Sequence, residues 1–301
     1  MKLSLLGLGG SGKTSIYATT LGGSLPSEVK ELGPTVMYEV RNHDFLGIQV
    51  SLFDFGGQEK YRTHYLESPK VLAGTDILVY VIDLHDPDRF EEANNYLSAI
   101  ISAFEEMKAK PELIVLLHKY DTEEKYDSKK LDKNVEKAKT LPSITKFKPT
   151  IHLTSIYHQE KLSSIFREIL LKNFESLKKS VEGAEKYLAE LKSRVIIADV
   201  SGNVITHNVK GFSRGLQLRE DLRDFISSCN TLRENFFMVD SAVFNSKAGD
   251  TGKSLDLHIF SYILAVLIMG SEETKDKPEL ISAMLADMKV FAELAVEASE
   301  R

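Results

Sequence analysis

Short apolar runs alternate with helix-period stretches through the first half of the chain. Lys2–Leu6 predicts a strand and Lys13–Leu21 a helix. After a Gly-, Pro- and Ser-containing loop over Gly22–Pro34, Met37–Phe45 and Gly47–Phe53 predict two strands joined tightly enough for a hairpin. Ile77–Ile82 is almost wholly apolar, the pattern of a strand covered on both faces. Phe90–Met107 carries Phe90, Ala93, Leu97, Ile100, Ile101 and Phe104 on one helical stripe. Leu113–Leu117 and Thr150–Leu153 predict strands, with helices around Leu131–Lys139 and Lys161–Leu171. This order predicts an α/β fold: a six-stranded, mostly parallel sheet with helices on both faces and the hairpin as its antiparallel edge.

The rhythm changes near Asn173. A charged amphipathic helix over Phe174–Lys192 leads to strands Arg194–Val200 and Val204–Val209 around a Ser201-Gly202-Asn203 turn. A helix over Leu218–Leu232, strands near Phe236–Asn245, Ser254–Phe260 and Tyr262–Met269, and a final helix from Pro278 to Glu297 follow. Helix, two strands, helix, three strands, helix is an α+β order. The chain is therefore expected to divide into residues 1–172 and a smaller domain over 173–301, as its 301 residues suggest.

Composition narrows the function. A net charge of −6 disfavours nucleic acid or an anionic membrane as the main partner, since both require clustered Lys and Arg. The one cysteine, Cys229, excludes an internal disulfide and is expected as a buried apolar residue on a helix, in keeping with a reducing, cytoplasmic setting. The longest apolar run, Ile259–Met269, is too short to span a bilayer, and the termini show neither a signal sequence nor a lipidation motif, so direct membrane insertion is not expected.

The strongest chemical signal follows the first strand. Gly7-Leu8-Gly9-Gly10-Ser11-Gly12-Lys13-Thr14 matches the phosphate-binding loop pattern and opens a helix with Ser15 next in its first turn. Backbone N–H groups of such a loop form an anion nest at a positive helix terminus. Lys13 adds a charge for the outer phosphates, and the Thr14 hydroxyl is a ligand for Mg²⁺. The fold is thus expected to be that of a P-loop NTPase. Gly252-Lys253-Ser254 is a decoy, because position 247 is Lys and no helix follows; a hairpin turn is expected there.

Other loops say which nucleotide and what is done with it. The third strand ends Asp54-Phe55-Gly56-Gly57-Gln58. Asp54 is placed to hold Mg²⁺ through water, Gly57 to offer its N–H to a γ-phosphate and Gln58 to orient an attacking water as the catalytic residue. Thr35, in Gly33-Pro34-Thr35, is a second hydroxyl for the metal. His118-Lys119-Tyr120-Asp121 and Thr154-Ser155-Ile156 end the fifth and sixth strands. The Asp121 carboxylate can accept from guanine N1–H and its exocyclic amine, which adenine cannot match. The Lys119 stem can lie along the base, Ser155 and Ile156 N–H groups can reach the guanine carbonyl, and His118 is expected to brace the loop by hydrogen bonding. GTP or GDP with Mg²⁺ is therefore the expected ligand. No arginine is evident in cis, and Arg62 is expected on a solvated surface, so hydrolysis is expected to be slow.

With His118-Lys119-Tyr120-Asp121 and Leu153-Thr154-Ser155-Ile156-Tyr157 in place, the chain resembles the Rag/Gtr branch of the Ras superfamily, essentially over its whole length. Pro34-Thr35 and Asp54 to Gln58 are also similar to the Arf branch. The Rag/Gtr resemblance implies a C-terminal roadblock/longin-like domain that forms a homo- or heterodimer. It also implies effector partners chosen by nucleotide state. Activating and exchange factors are expected besides, and any recruitment to a membrane surface is expected through a partner protein. An Arf-like trafficking GTPase and a non-hydrolysing assembly scaffold remain as alternatives.

Overall fold

The structure, a computed structural model, describes residues 1–21, 26–121, 128–172, 174–210, 216–271 and 276–300. They fall into two compact units, Met1–His43 with Val50–Phe166, and Asp44–Gln49 with Arg167–Arg301. Of the loop expected over Gly22–Pro34, residues 22–25 lie outside those described.

The first unit is built on a six-stranded sheet. In chain order the strands are β1 (Lys2–Gly7), β2 (Tyr38–Phe45), β3 (Ile48–Phe55), β4 (Ile77–Asp83), β5 (Glu112–His118) and β6 (Thr150–Thr154). Their spatial order is β2-β3-β1-β4-β5-β6. Pairings from β3 through β6 are parallel. Leu46 and Gly47, both at positive φ, turn β2 back onto β3 as a two-residue hairpin, so Gly47 belongs to the turn where a strand start was expected.

The α-helices among the described residues of this part are α1 (Lys13–Thr20), α2 (Glu59–Glu67), α3 (Phe90–Glu106), α4 (Ser128–Lys139), α5 (Pro142–Phe147) and α6 (Gln159–Leu171). Leu6, Leu78, Tyr80, Ile82, Val115 and Leu117 cluster with Phe90, Leu97, Ile100 and Phe104 of α3. The alternate residues Leu3, Leu5, Ile77, Val79, Val81, Ile114 and Leu116 point to the opposite face and are buried, and Ile16, Tyr17, Leu162, Ile165 and Phe166 of the helices are buried too. Neither α2 nor α5 was expected. Only Tyr65 of α2 is buried, so α2 shows almost no apolar periodicity, and α5 is six residues entered through Pro142.

The second unit holds a five-stranded antiparallel sheet. Its strands are β7 (Arg194–Asp199), β8 (Val204–His207), β9 (Ala242–Lys247), β10 (Ser254–Phe260) and β11 (Leu264–Gly270), in the order β8-β7-β11-β10-β9. Helices α7 (Glu175–Glu190), α8 (Leu216–Leu232) and α9 (Pro278–Ser299) complete it. Leu222, Ile226 and Cys229 of α8 pack on one sheet face with Ile196, Ala198, Leu257, Ile259, Ala265 and Leu267. Helices α7 and α9 lie side by side, burying Leu177, Val181, Met284, Met288 and Phe291, while Val195, Ile197 and Val266 alternate away from α8. Cys229 is a buried helical thiol, and Gly252 lies in the turn between β9 and β10.

Two expected boundaries are corrected. Phe236 and Phe237 are not strand: Arg233–Phe237 forms one wide π-helical turn after α8, closed by Met238 at positive φ, and β9 begins only at Ala242. The physical cause is Arg233, which is fully buried. Its guanidinium donates to the Asn230 amide oxygen and the Val239 carbonyl and lies 3.9 Å from the centre of the Tyr262 ring, holding the chain in a knuckle. Ser261 and Tyr262, at positive φ, make the β10–β11 turn, so β11 starts at Leu264 and not at Tyr262.

Candidate functional site

The loop between β1 and α1 forms because glycines stand where side chains cannot. Gly12 caps α1 at φ 92°, a left-handed conformation. The ring of His118 presses so close that a Cβ on Gly12 would stand 2.7 Å from Cδ2. His118 is buried, and burial followed by the charge of Lys119 pushes its pKa down to about 3, so it stays neutral. Its Nδ1 pairs with Thr154 Oγ1 at 2.9 Å. The imidazole therefore wedges between β6 and the loop.

Lys119 is the second clamp. Its backbone is left-handed at φ 61°, and its Nζ donates to the Gly10 carbonyl at 2.8 Å and to Asp83 at 2.5 Å. Two residues on, Asp121 Oδ1 accepts from Ser155 Oγ at 2.5 Å, and Tyr157 N–H donates to the same Ser155 oxygen. Ser155 thus orients the carboxylate, a task the sequence reading had not given it. Ile156 lies in the turn that follows β6.

Along the loop opens a cleft of about 320 Å³, lined by Gly9, Gly10, Gly12, Lys13, Thr14, Ser15, Thr35, Gly57, Gln58 and Lys119, with Val29, Leu32, Gly33 and Pro34 along its wall. Ser11 is buried behind it, and His118, Asp121, Ser155 and Ile156 lie outside the lining. Lys13 is fully buried, its Nζ turned onto the carbonyls of Gly7 at 3.0 Å and Leu8 at 2.8 Å. Burial, partly opposed by the carboxylate of Asp54, lowers its pKa to about 8. An anion in the cleft would return that charge to its ordinary state.

Beside Lys13, three side chains from three elements converge. Thr14 Oγ1 is 2.8 Å from Thr35 Oγ1 and donates to Asp54 Oδ2 at 2.6 Å, with Thr35 Oγ1 3.4 Å from the same oxygen. Asp54 is fully buried, its pKa is raised by that burial, and its Oδ1 has no hydrogen-bond partner among the described residues. Two hydroxyls and an unsatisfied carboxylate oxygen are hard donors suited to Mg²⁺. No group of three His, Cys, Asp or Glu among the described residues competes as a metal site.

Gly57 brings the next segment onto the phosphate loop: a Cβ there would meet Leu8 C at 2.4 Å and Gly9 N at 2.5 Å. Gln58, exposed at the cleft, starts α2. The carbonyl of Met37 accepts from Gly56 N–H at 2.6 Å and from the Tyr65 hydroxyl, tying the loop that carries Thr35 to α2. Met37 and Tyr65 escaped sequence reasoning because a backbone acceptor leaves no residue signature. Asp83 could have been found, as a carboxylate ending an otherwise apolar strand. Arg62 is corrected: its side chain is 11% exposed, ion-paired to Glu92.

The conserved region of the Gtr1/RagA G proteins matches residues 2–214. The chain belongs to that family. Its members are GTP hydrolases, so this is a guanine-nucleotide-binding enzyme. Among relatives of the Gtr1/RagA-family chain, Ras-related GTP-binding protein A of Dictyostelium discoideum is 26% identical over 244 residues, 78% of this chain and 80% of that one. The ADP-ribosylation factor-like protein alp41 of Schizosaccharomyces pombe is 30% identical over 145 residues, 46% of this chain and 72% of its own. A solved structure of the Arl6 small GTPase from Trypanosoma brucei, with bound nucleotide analogue GppNp, aligns over 54% of this chain and 90% of that one at 18% identity and a TM-score of 0.39.

Proposed function

We propose that this Gtr1/RagA-family protein is a slow GTP·Mg²⁺ switch of Rag type that signals through nucleotide-dependent conformations of the loop around Thr35 and the segment from Gly57 to about Tyr65, and dimerises through the second unit. The observation that carries the switch reading is the convergence of Thr14, Thr35 and Asp54 within hydrogen-bonding reach beside Gly57 and Gln58. Bound Mg²⁺ would neutralise charge on the phosphate oxygens. Thr14, Thr35 and Asp54 would hold it, and Lys13 would lie against the outer phosphates. Gly57 N–H would hold a γ-phosphate oxygen, and Gln58 would orient the water that attacks it. Loss of that phosphate releases Thr35 and Gly57, and the change of shape is the output. Asp121, aligned by Ser155, supports guanine over adenine, with Lys119 on the base and the N–H groups of Ser155 and Ile156 toward its carbonyl.

Turnover is slow in this reading and needs an activating protein, with exchange factors and effectors as further partners. The dimer reading rests on the second unit. Strand β9 ends its sheet, and near it Leu232, Phe236, Phe237, Met238 and Val243 are exposed, Met238 to 81%. The helix-covered antiparallel sheet fits a roadblock-type domain. No helix among the described residues is long and apolar enough to cross a membrane, so membrane recruitment would go through a partner.

Native mass spectrometry of the purified protein tests both halves together. The expected species is a dimer carrying guanine nucleotide in each subunit. A folded monomer that takes up neither GTP nor GDP in the presence of Mg²⁺ overturns the proposal.

A further inference from the structure

Glu92, in the first turn of α3, sits between two guanidiniums from different walls of the site. Its Oε2 accepts from Arg89 Nε at 2.8 Å, and its Oε1 accepts from Arg62 Nη2. Arg89 then donates Nη1 to the Gly9 carbonyl in the phosphate loop at 3.1 Å, with Asp86 3.8 Å away. On the other side, Arg62 lies in the first turn of α2, where the N–H groups of Tyr61 and Arg62 both bond to the Gln58 carbonyl at 3.0 Å. A continuous path of bonds therefore runs from Gln58 through Arg62, Glu92 and Arg89 to Gly9.

Burial makes the Arg62 end of this path stiff. The guanidinium stacks over Tyr96 with its carbon 5.2 Å from the ring centre, and its Nε is buried without a hydrogen-bond partner among the described residues. Such a cation tolerates its place only while a carboxylate faces it. Arg89 and Glu92 are about two-fifths exposed (39% and 40%), so their bond adds little stability by itself. Its effect is geometric: one i,i+3 pair on adjoining turns fixes both rotamers, and each holds a different wall of the cleft.

We infer that Arg62, Glu92 and Arg89 form a strut that sets the position of Gln58 against the phosphate loop, with Glu92 as its central positioning residue. The strut rests on the proposed role of Gln58. Without the Glu92 charge, the first turn of α2 must rotate outward to hydrate Arg62, and Gln58 moves with it. Nucleotide affinity is set by other residues and stays unaltered.

Single-turnover GTP hydrolysis and GDP dissociation, measured on the full chain with Mg²⁺, test this, with melting temperatures recorded for each variant. Glu92→Gln and Arg62→Met are each expected to slow hydrolysis about tenfold, the scale of a sub-ångström misplacement of a positioned group. The double variant is expected to be no slower than either, Arg62→Lys to recover most of the loss, and GDP dissociation to change less than twofold. Hydrolysis within twofold of wild type for Glu92→Gln, multiplicative losses in the double variant, or dissociation changing in step with hydrolysis overturns the strut. Gln58→Leu separates the two ideas: if it hydrolyses as fast as wild type, the role of Gln58 falls and the strut with it. If it is slow while the Glu92 variant is unimpaired, the strut alone falls.

Discussion

Thr14 Oγ1 and Asp54 Oδ2 stand 2.6 Å apart across forty residues of chain. They meet because β1 runs parallel to β3 with Leu5 opposite Asp54, so the end of one strand delivers the loop and the end of the other delivers the carboxylate. If this pair and Thr35 hold Mg²⁺, chelating the metal from nucleotide-loaded wild-type protein accelerates GDP release at least tenfold. Asp54→Ala is expected to release GDP fast with or without chelator. Release from wild type that ignores EDTA rejects the metal assignment.

Asp121 Oδ1 accepts from Ser155 at 2.5 Å, and His85 Nε2 stands 3.9 Å from Oδ2. Asp121→Asn exchanges an acceptor pair for one acceptor and one donor. GTP affinity is expected to fall roughly a hundredfold, at about 1.5–3 kcal/mol for each charged hydrogen bond lost. Xanthine nucleotide affinity is expected to rise, since xanthine offers an oxygen where guanine offers an amine. Competition binding with GTP and XTP gives both numbers, and unchanged discrimination removes Asp121 from the base site.

The contact of Gly57 with Leu8 and Gly9 is made with backbone atoms that cannot rotate away. Gly57→Ala therefore drives the start of α2 off the phosphate loop. Hydrolysis in a single turnover is expected to drop at least tenfold, because Gln58 moves with the displaced start of α2. A variant as active as wild type shows that the approach is not needed for the reaction.

Asp199 governs a pH effect in the second unit. Its carboxylate is buried and accepts from Ser201 N–H, Asn203 N–H and the Asn203 amide; burial outweighs these bonds and raises its pKa to about 6. The folded state thus holds this proton more tightly than the unfolded chain, whose carboxylate titrates near 3.8. Stability from this group is full below pH 4 and is lost as pH rises through 6. The loss is on the order of 2–3 kcal/mol at roughly 1.4 kcal/mol per unit. Denaturant midpoints for wild type and Asp199→Asn between pH 4 and 7 check it: the slope difference should point downward for wild type and flatten by pH 7.

Phe236, Phe237 and Met238, beside the edge strand β9, are the most exposed large apolar side chains among the described residues of the second unit, at 75%, 59% and 81%. Phe237→Asp together with Met238→Ser is expected to convert a dimer to monomer while leaving nucleotide binding intact, as read by sedimentation. An unchanged dimer moves the interface elsewhere.

The residue order of this chain was enough to draw the alternating first half, the helix-and-meander second half and the phosphate loop, because each depends on neighbours within a few turns of chain. Strand period, helix period and a glycine-rich turn before Lys13 are local quantities. What lay beyond reach was whatever the sheet order brought together from afar. The burial of Arg62 against Glu92 and Tyr96, the Met37 carbonyl shared by Gly56 and Tyr65, and the alignment of Asp121 by Ser155 all join residues separated by tens of positions. Arg233 bonds to near neighbours, Asn230, Glu234 and Val239, but is covered by Tyr262 from the β10–β11 turn, and a helical knuckle stands where a strand at Phe236 was expected. Periodicity reports which face of an element is apolar, and only packing decides which charge that face must satisfy.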